Sequence, residues 1–542
     1  MKLFLHATVL MLLLFALLAT ALNGFLTYRG EPPWMPILFT LVMFGLQFAY
    51  GPRIIEWLFD IEWDDEGRDL PAGNLEFLRK LCTDRGLKMP RIGVIRSDSP
   101  NAFTFGHFPG DARVVVTTGL IRILDTEETN AVLAHEMGHV EHWDFVVMTV
   151  AALAPMLLYQ LYRASLRVNQ SGGGGDNQNK APFVAEISYL CYLLSQFLVL
   201  LLSRTREYYA DRYAARVTRT PNALASALVK IGYGMAKVDG ELRHAMQDAS
   251  PADRASLSWQ RSNTGATALM SICNLQGGGA LALGGTDARG AAAMMRWDLV
   301  NPWARLYELN STHPLTALRI QALNEEAEAL HQRVAYPLPE DRQRQWRTFP
   351  VEALLWAMPW LAAGAFLLLP QVRHLLWYWT GILLPPSLAR PLVILTGVSW
   401  MCRTWFRYYG TMQPATVAEL LQDVEVSQMR PRAVRVEGKI LGFGVPGAFW
   451  SPDLVLQDAS GMLYVWYRQS IPFARLVFAV ASADRYIGQR VVIEGWFRRG
   501  LSPCLEMSCL TGEDGKPQRA YSRHIQYCAA ALIAAGGLLL MR

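Results

Sequence analysis

Long apolar stretches separated by polar regions dominate the sequence. Seven stretches are apolar enough to predict helices in or at a membrane: Leu3–Leu22, Trp34–Tyr50, Phe145–Tyr162, Phe183–Leu202, Val351–Leu369, Leu375–Met401 and Ile525–Met541. A helix of about 20 apolar residues spans the hydrocarbon core of a bilayer. The pattern therefore predicts an α-helical integral membrane protein.

Two of these stretches each allow two interpretations. Leu3–Leu22 ends in Ala19-Thr20-Ala21, which resembles a signal-peptidase site, so it is either a cleaved signal or a retained helix. The short connection to the second stretch favours retention as one half of a helical hairpin. The stretch Leu375–Met401 is interrupted by Pro385-Pro386 and Arg390, so it is either one broken span or two interfacial helices.

The order of apolar and polar regions divides the chain into five predicted parts. They are an N-terminal transmembrane hairpin (1–50), a first polar domain with a membrane hairpin inserted at 145–202 (51–350), a membrane region (351–401), a second polar domain (408–524) and a C-terminal transmembrane segment (525–541). Basic residues are more frequent where the apolar stretches meet the two polar domains. By the positive-inside rule, both polar domains are expected to be cytoplasmic.

Composition supports the membrane prediction and excludes several other classes. The chain is 52% hydrophobic and 18% charged, whereas about a quarter of the residues in soluble domains are charged. These values exclude a disordered chain, a collagen and a small disulfide-stapled domain. The net charge of +5 is what cytoplasmic retention of basic residues produces, so no nucleic-acid partner is expected. None of the seven cysteines forms a CxxC pair, which argues against a zinc ribbon or a redox site.

The second polar domain has the pattern of a small β domain. Its predicted strands are Ala433–Ile440, Leu454–Gln457, Met462–Tyr467 and Arg490–Phe497. Turn sequences such as Asp458-Ala459-Ser460-Gly461 separate them, and four or five short strands in this length predict a small, OB-like β-barrel. Its arginines are compatible with nucleic-acid binding, but a surface near anionic lipid headgroups or a protein-docking module is the favoured interpretation.

The strongest chemical signal lies in the first polar domain. Asp125 and Glu128 form a capping-box pattern that predicts the start of a helix. His135 and His139 are four positions apart on that helix, so both imidazoles face one side and can bind a single zinc ion. Glu136 is rotated away from them, where it can reach a metal-bound water as general base. The alternative is an amphipathic helix with histidines that bind no metal.

A catalytic zinc site needs a third protein ligand, and Glu207 is the best candidate. It follows the second helix of the inserted hairpin, which returns the chain to the start of the first. Asp211 lies one turn later on the same face and could orient a ligand imidazole. The alternative is that both acids only pair with neighbouring arginines. His142 is a second option for a ligand, but three ligands along one helix suit tetrahedral coordination poorly, so we interpret it as a surface or supporting residue.

Several ordered motifs resemble the HtpX-type membrane-bound zinc metalloproteases, which are related to the CAAX prenyl proteases. They are Asn101–Gly106, Arg113–Leu120, His135–His139 followed by Asp144, Ser203–Asp211, and Ser311–Pro314 with Arg319-Ile320. The resemblance covers residues 1–330 and implies a zincin-type, mainly α metallopeptidase domain at 51–350.

The same resemblance implies roles for individual residues. His135, His139 and Glu207 would bind one Zn²⁺ per chain, and Glu136 would be catalytic. His313 would stabilise the tetrahedral oxyanion, unless it only caps or packs before the following proline. A substrate would add as a strand beside Val114, Val115 and Val116, which would form an edge strand, unless these valines are ordinary buried positions.

The sequence thus predicts a zinc endopeptidase that cleaves membrane or membrane-associated proteins in protein quality control. The lipid bilayer and membrane protein or peptide substrates are the expected partners, and a bacterial inner membrane with a cytoplasmic active site is the expected location. One alternative is a non-proteolytic membrane scaffold with a structural metal and a partner-binding β domain. Another is a protease that processes prenylated peptides.

Overall fold

The structure is a computed structural model that describes most of the chain. The described residues are 34–59, 61–64, 69–170, 181–232, 288–338, 347–380, 385–443, 453–469, 475, 477–478, 483–500 and 503–539. The predicted first apolar stretch, Leu3–Leu22, lies outside them. The chain divides into two compact units, of which the first comprises Met1–Ala292 with Leu306–Leu338 and the second Ala293–Arg305 with Pro339–Arg542.

Helices make up most of the first unit. They are α1 (Trp34–Leu58), α2 (Ala72–Arg85), α3 (Thr118–Ile123), α4 (Thr126–Glu141), α5 (Asp144–Gln170), α6 (Ala181–Thr218), the first residues of α7 (Ala288–Val300), the end of α8 (Pro302–Glu308) and α9 (Thr316–Ala329). Residues 221–232 are also helical. Helices α5 and α6 pack along each other and form the predicted inserted hairpin.

A four-stranded sheet completes the first unit. Its strands are β1 (Glu62–Trp63), β2 (Arg91–Ile95), β3 (Ala102–Phe105) and β4 (Arg113–Thr117), in the order β1-β2-β4-β3. Strand β4 runs parallel to β2 and antiparallel to β3, so it has a partner on each side. Strand β3 therefore forms one edge of this sheet.

This strand order overturns one prediction from the sequence. Val114, Val115 and Val116 were expected to form the edge to which a substrate adds, but they lie on β4 inside the sheet. Their backbone is paired with β2 and β3, and their side chains are fully buried. Because both hydrogen-bonding sides of the strand are occupied, an added peptide has no place beside it.

Helix α4 begins as the capping pattern predicts. The side chain of Asp125 accepts a hydrogen bond from the amide of Glu128, and the side chain of Glu128 accepts one from the amide of Asp125. Asn74 of α2 also donates to the carbonyl of Thr126 and to the side chain of Asn130. The capping box satisfies two backbone amides at the start of the helix, and the bonds from Asn74 hold α4 against α2.

Four of the described helices are long and apolar enough to cross a membrane. The corresponding segments are Ile37–Leu58, Asp144–Arg163, Glu186–Thr218 and Phe349–Leu369. They coincide with four of the predicted stretches, and the prediction of an integral membrane protein is confirmed. The predicted spans at 375–401 and 525–541 do not belong to this group of described helices and remain predictions.

Three long helices of the second unit pack together. They are α10 (Phe349–Thr380), α11 (Ala389–Arg407) and α13 (Ser522–Leu539). A Cβ atom on Gly397 of α11 would lie 2.5 Å from the amide nitrogen of Ala534 and 2.7 Å from the carbonyl oxygen of Ala530. Glycine is therefore required where α11 and α13 cross.

A closed β-barrel forms the rest of the second unit. Its strands are β6 (Arg432–Phe443), β7 (Leu454–Gln457), β8 (Met462–Trp466), β9 (Arg490–Arg498) and β10 (Cys504–Thr511). The pairing β6-β7-β8-β10-β9-β6 closes the ring, with β8 and β10 parallel. This is the OB-like arrangement, so the prediction of a small β-barrel is confirmed. The short strands β5 (Gln413–Pro414) and β11 (Pro517–Arg519) and the helix α12 (Val417–Gln422) flank it.

Candidate active site

Three predicted ligands converge in the first unit. Helix α4 presents His135 and His139, whose Nε2 atoms lie 3.2 Å apart, and α6 presents Glu207. The carboxylate oxygens of Glu207 lie 3.8 Å from each of these nitrogens. The candidate ligand atoms, one from each residue, all lie within 4.8 Å of one another. The three side chains are therefore close enough to bind one metal ion.

A glycine allows α6 to approach α4 this closely. Gly138 lies between the two histidines, and a Cβ atom there would lie 3.1 Å from the Cα atom of Ala210 and 3.2 Å from the ring of Tyr213. Because the nearest neighbour is backbone, a side chain at this position would push the helices apart. The close approach is what brings Glu207 to the histidines.

Two carboxylates fix the protonation of the histidines. Nδ1 of His135 lies 2.9 Å from Asp211, and Nδ1 of His139 lies 2.7 Å from Asp144. An ionised carboxylate only accepts hydrogen bonds, so these contacts favour the tautomer that has the proton on Nδ1 and offers the Nε2 lone pair to a metal. Two Nε2 atoms 3.2 Å apart can both act as ligands of a single cation. The donor set therefore fits a divalent metal such as zinc, which prefers neutral imidazole and carboxylate ligands.

Arginines support the carboxylates in turn. Arg319 of α9 is almost fully buried, donates to both oxygens of Asp211 at 2.6 and 2.7 Å, and lies 3.2 Å from Glu207. Arg206 pairs with Asp144 and donates to the carbonyl of His142. Burying a carboxylate is costly unless a cation neutralises it, so each arginine offsets the cost of burying the acid that it contacts.

Glu136 directly follows the ligand candidate His135 in sequence but has a different partner. Its side chain is buried and accepts a 2.6 Å hydrogen bond from the hydroxyl of Thr104 on the edge strand β3. This contact leaves the carboxylate in one fixed orientation. Glu136 is thus held against β3, the outer strand of the described sheet.

His313 lies beside the metal cluster, on the loop before α9. Its Nδ1 atom is 3.3 Å from a carboxylate oxygen of Glu207. The loop is anchored to α6, because Ser203 donates to the carbonyl of Thr312 and Arg204 donates to the carbonyls of Glu308 and Ser311. The structure therefore brings His313 to the site, and the contact with Glu207 is compatible with catalysis or with ligand support.

His142 is directed elsewhere. His142 lies at the end of α4, where its Nδ1 atom is 2.7 Å from the carbonyl oxygen of Gly138. Its ring packs near Tyr213 of α6. This position agrees with the interpretation of His142 as a residue outside the ligand set.

Sequence reasoning did not assign roles to Thr104, Asp144, Arg206 and Arg319. Two of them carried a detectable signal: Thr104 is the one polar residue in the strand sequence Ala-Phe-Thr-Phe, and Arg319 is a lone basic residue in the apolar start of α9. Polar residues in such buried positions usually have a specific partner. Asp144 and Arg206 lie among other charged residues, so their pairing was not visible in the pattern.

Comparison with known proteins assigns the family. Residues 76–327 match the family model described as peptidase family M48. A Protease HtpX homolog from Methanothermobacter thermautotrophicus is 34% identical over 200 residues, which cover 36% of this chain and 73% of that protein. A Protease HtpX homolog from Aeropyrum pernix is 30% identical over 313 residues, which cover 56% of this chain and 90% of that protein. The chain belongs to peptidase family M48. It is accordingly a metallopeptidase, and its predicted resemblance to the HtpX type is confirmed.

A similarity to one solved structure is much weaker. The crystal structure of S. mikatae Ste24p has 22% sequence identity, covers 57% of this chain and 64% of that chain, and gives a TM-score of 0.31. A TM-score this low does not support an argument about a common fold. The family assignment rests on the family-model match at residues 76–327 and on the HtpX relatives.

Proposed function

We propose that this M48 peptidase is a zinc-dependent endopeptidase that cleaves membrane or membrane-associated proteins. The observation that carries the proposal is the convergence of His135, His139 and Glu207, whose candidate ligand atoms all lie within 4.8 Å of one another. Asp211 and Asp144 hold the imidazoles in the form that binds a metal. A metal site assembled by so many buried contacts is prepared before any ligand arrives.

Glu136 is the proposed general base. When bound, zinc would polarise a water molecule and the scissile carbonyl. Glu136 would take the proton from that water and later give it to the leaving amine nitrogen. The hydrogen bond from Thr104 occupies Oε2, so Oε1 is the oxygen available for the proton. His313 is proposed to donate to the oxyanion that develops on the substrate.

Strand β3 replaces β4 as the proposed substrate strand. It is the outer strand of the described sheet on the side of α4, and its residue Thr104 contacts Glu136. A peptide that adds to an edge strand is bound through backbone hydrogen bonds, which tolerates many side chains. This mode suits an enzyme that degrades damaged or misassembled proteins of varied sequence.

The proposed location is a bacterial inner membrane with the active site on the cytoplasmic side. The support is the excess of arginines at the junctions of the polar domains, as the positive-inside rule requires. Lipid and membrane protein substrates are the proposed partners.

The decisive experiment compares Glu136→Gln with Glu127→Gln in the purified full-length protein. Glu127 lies exposed in the first turn of the same helix and is the matched control. We expect Glu136→Gln to retain zinc and lose cleavage of a membrane-anchored substrate, and Glu127→Gln to retain both. Cleavage at the wild-type rate by Glu136→Gln would reject the proposed role of Glu136 as general base. If the wild-type protein bound no zinc, the proposal of a zinc site would be rejected.

Two alternatives predict different results in the same assays. A membrane scaffold with a structural metal would keep its cellular function in the Glu136→Gln variant. A protease that processes prenylated peptides would cleave a prenylated peptide much faster than the same peptide without the lipid. We expect neither outcome.

A further inference from the structure

A group of arginines lies at the end of helix α11, in the second unit, whereas the metal cluster belongs to the first. Arg403 and Arg407 occupy the last two turns of α11, and Arg498 lies at the end of strand β9. Arg468, after β8, is a further charged neighbour of Arg403. We call these four residues the arginine cluster.

The arginine cluster contains more positive than negative charge. Glu506 is the carboxylate at its centre, and it already accepts hydrogen bonds from Arg498 at 2.7 Å and from Tyr408 at 2.5 Å. Arg407 comes no closer than 3.9 Å to Glu506. Among the described residues no carboxylate forms an ion pair with Arg403, whose guanidinium lies over the ring of Trp360. Two guanidinium groups therefore lack a hydrogen-bonded acid.

Both of these guanidinium groups also contain a buried donor without an acceptor. The Nε atoms of Arg403 and Arg407 are buried and have no hydrogen-bond partner among the described residues. Arg407 as a whole is only 9% exposed. A buried N–H without an acceptor is costly, and the favourable field at the end of a helix does not replace a hydrogen bond. The arrangement is that of a site prepared for an anion.

The surroundings indicate the depth of the cluster in the membrane. Helix α11 packs against α10, which contains a candidate membrane span, and its outer residues Leu395 and Val398 are 41% and 45% exposed. Trp405 and Tyr409 lie at its end, where both rings are exposed and stack on each other. Exposed aromatic residues of this kind mark the boundary between hydrocarbon and water. These features are typical of a helix end at the level of the lipid phosphates.

We propose that Arg403 and Arg407 form a binding site for a phosphate group, supplied by an anionic phospholipid headgroup or by free phosphate. A guanidinium group presents parallel donors that match phosphate oxygens, which makes arginine the usual residue for such recognition. The bound phosphate would balance the excess charge of the cluster and accept hydrogen bonds from the two buried Nε atoms. It would also couple the β-barrel to lipid at the end of α11.

The test measures the thermal stability of the full-length protein in a nonionic detergent. Phosphatidylglycerol, phosphatidylcholine and inorganic phosphate are titrated separately into the wild type, Arg403→Gln, the double variant Arg403→Gln/Arg407→Gln, and Arg523→Gln. Arg523 is the matched control because it is an exposed arginine in the first turn of α13, outside the cluster. We expect phosphatidylglycerol to raise the Tm of the wild type and of Arg523→Gln. The double variant should bind it at least roughly tenfold more weakly, which corresponds to the loss of charge-assisted hydrogen bonds.

Each outcome of this test decides the proposal. A lipid headgroup is identified if phosphatidylglycerol raises the Tm, inorganic phosphate does not, and the variants of Arg403 and Arg407 lose the rise. A rise with inorganic phosphate that depends on the same arginines identifies free phosphate. A rise that is equal with phosphatidylcholine, or that persists in the double variant, overturns the proposal. If the double variant does not fold, Arg403→Gln alone and the charge-preserving Arg403→Lys decide, since the side chain of Arg403 forms no hydrogen bond with the described residues.

Discussion

The hydroxyl of Thr104 donates a 2.6 Å hydrogen bond to Oε2 of Glu136. Thr104 lies on strand β3, at the edge of the sheet, and Glu136 lies on helix α4 between the two histidines. The bond therefore joins the proposed substrate strand directly to the proposed general base. It restricts the rotation of the Glu136 carboxylate without contact with the predicted metal ligands.

Replacement of Thr104 is expected to lower kcat more than it raises KM. Thr104→Val keeps the shape of the side chain and removes the donor, so Glu136 loses a hydrogen bond worth about 1 kcal/mol, or roughly fivefold in rate. Steady-state kinetics with a defined peptide measures the effect, and zinc content should stay unchanged. Thr104→Ser restores the hydroxyl and should recover most of the rate. A change in KM alone would show that Thr104 contributes only to substrate binding.

Asp211 is expected to determine the affinity for zinc through His135. Asp211→Asn removes the charge that holds the Nδ1 proton, and loss of such a supporting carboxylate typically weakens metal binding about 10- to 100-fold. Competition with a chelator measures the affinity. Asp84→Asn, which changes an exposed aspartate on α2, is the matched control and should bind zinc as the wild type does. Equal zinc affinity of the two variants would contradict the proposed role of Asp211.

The metal cluster was predictable because helical geometry is regular. Residues four positions apart share one face of a helix, so the sequence was sufficient to pair His135 with His139 and to favour a role outside the ligand set for His142. Glu207 followed from the return of the membrane hairpin. The support by Arg319 was not predictable, because α9 is separated from α6 by about a hundred residues of sequence and its packing depends on the tertiary fold.

The edge strand was predicted wrongly for a physical reason. Three consecutive valines are typical of a strand that is buried on both faces, as in the interior of a parallel sheet, and β4 is indeed paired in parallel with β2. An interior position was therefore the better interpretation of Val114–Val116. Strand β10 was not among the strands named from the sequence, and its Glu506 is buried there with Arg498 and Tyr408 as hydrogen-bond donors.

The role of His313 can be assigned by separating catalysis from metal binding. If His313 donates to the oxyanion, His313→Gln should lower kcat about 100-fold while zinc content stays the same. If its contact with Glu207 serves to hold that ligand, the variant should lose zinc instead. Kinetics and metal analysis on the same sample distinguish the two. We expect the loss of kcat with zinc retained, and a zinc-free variant would reject the oxyanion role.

Because of Glu506, the stability of the β-barrel is expected to fall at acidic pH. Burial alone would raise the pKa of Glu506, but Arg498, Arg407, Arg468 and the hydrogen bond from Tyr408 lower it from the ordinary 4.5 to about 2. Because the folded pKa is the lower one, the ionised carboxylate stabilises the fold fully above pH 4.5. This contribution, about 3 kcal/mol for a shift of this size, is lost as the pH falls from 4.5 towards 2.

The variant Glu506→Gln separates this contribution from general acid denaturation. It should be several kcal/mol less stable than the wild type at pH 7, because Arg498 is left buried without its acid, and its stability should fall less between pH 5 and pH 3. Denaturant unfolding of the full-length protein in detergent, followed by near-UV circular dichroism, measures both differences. Glu437→Gln, at an exposed position on β6, should follow the wild type. If the stability of Glu506→Gln and that of the wild type fell equally between pH 5 and pH 3, the arginine partners would not lower the pKa of Glu506 as proposed.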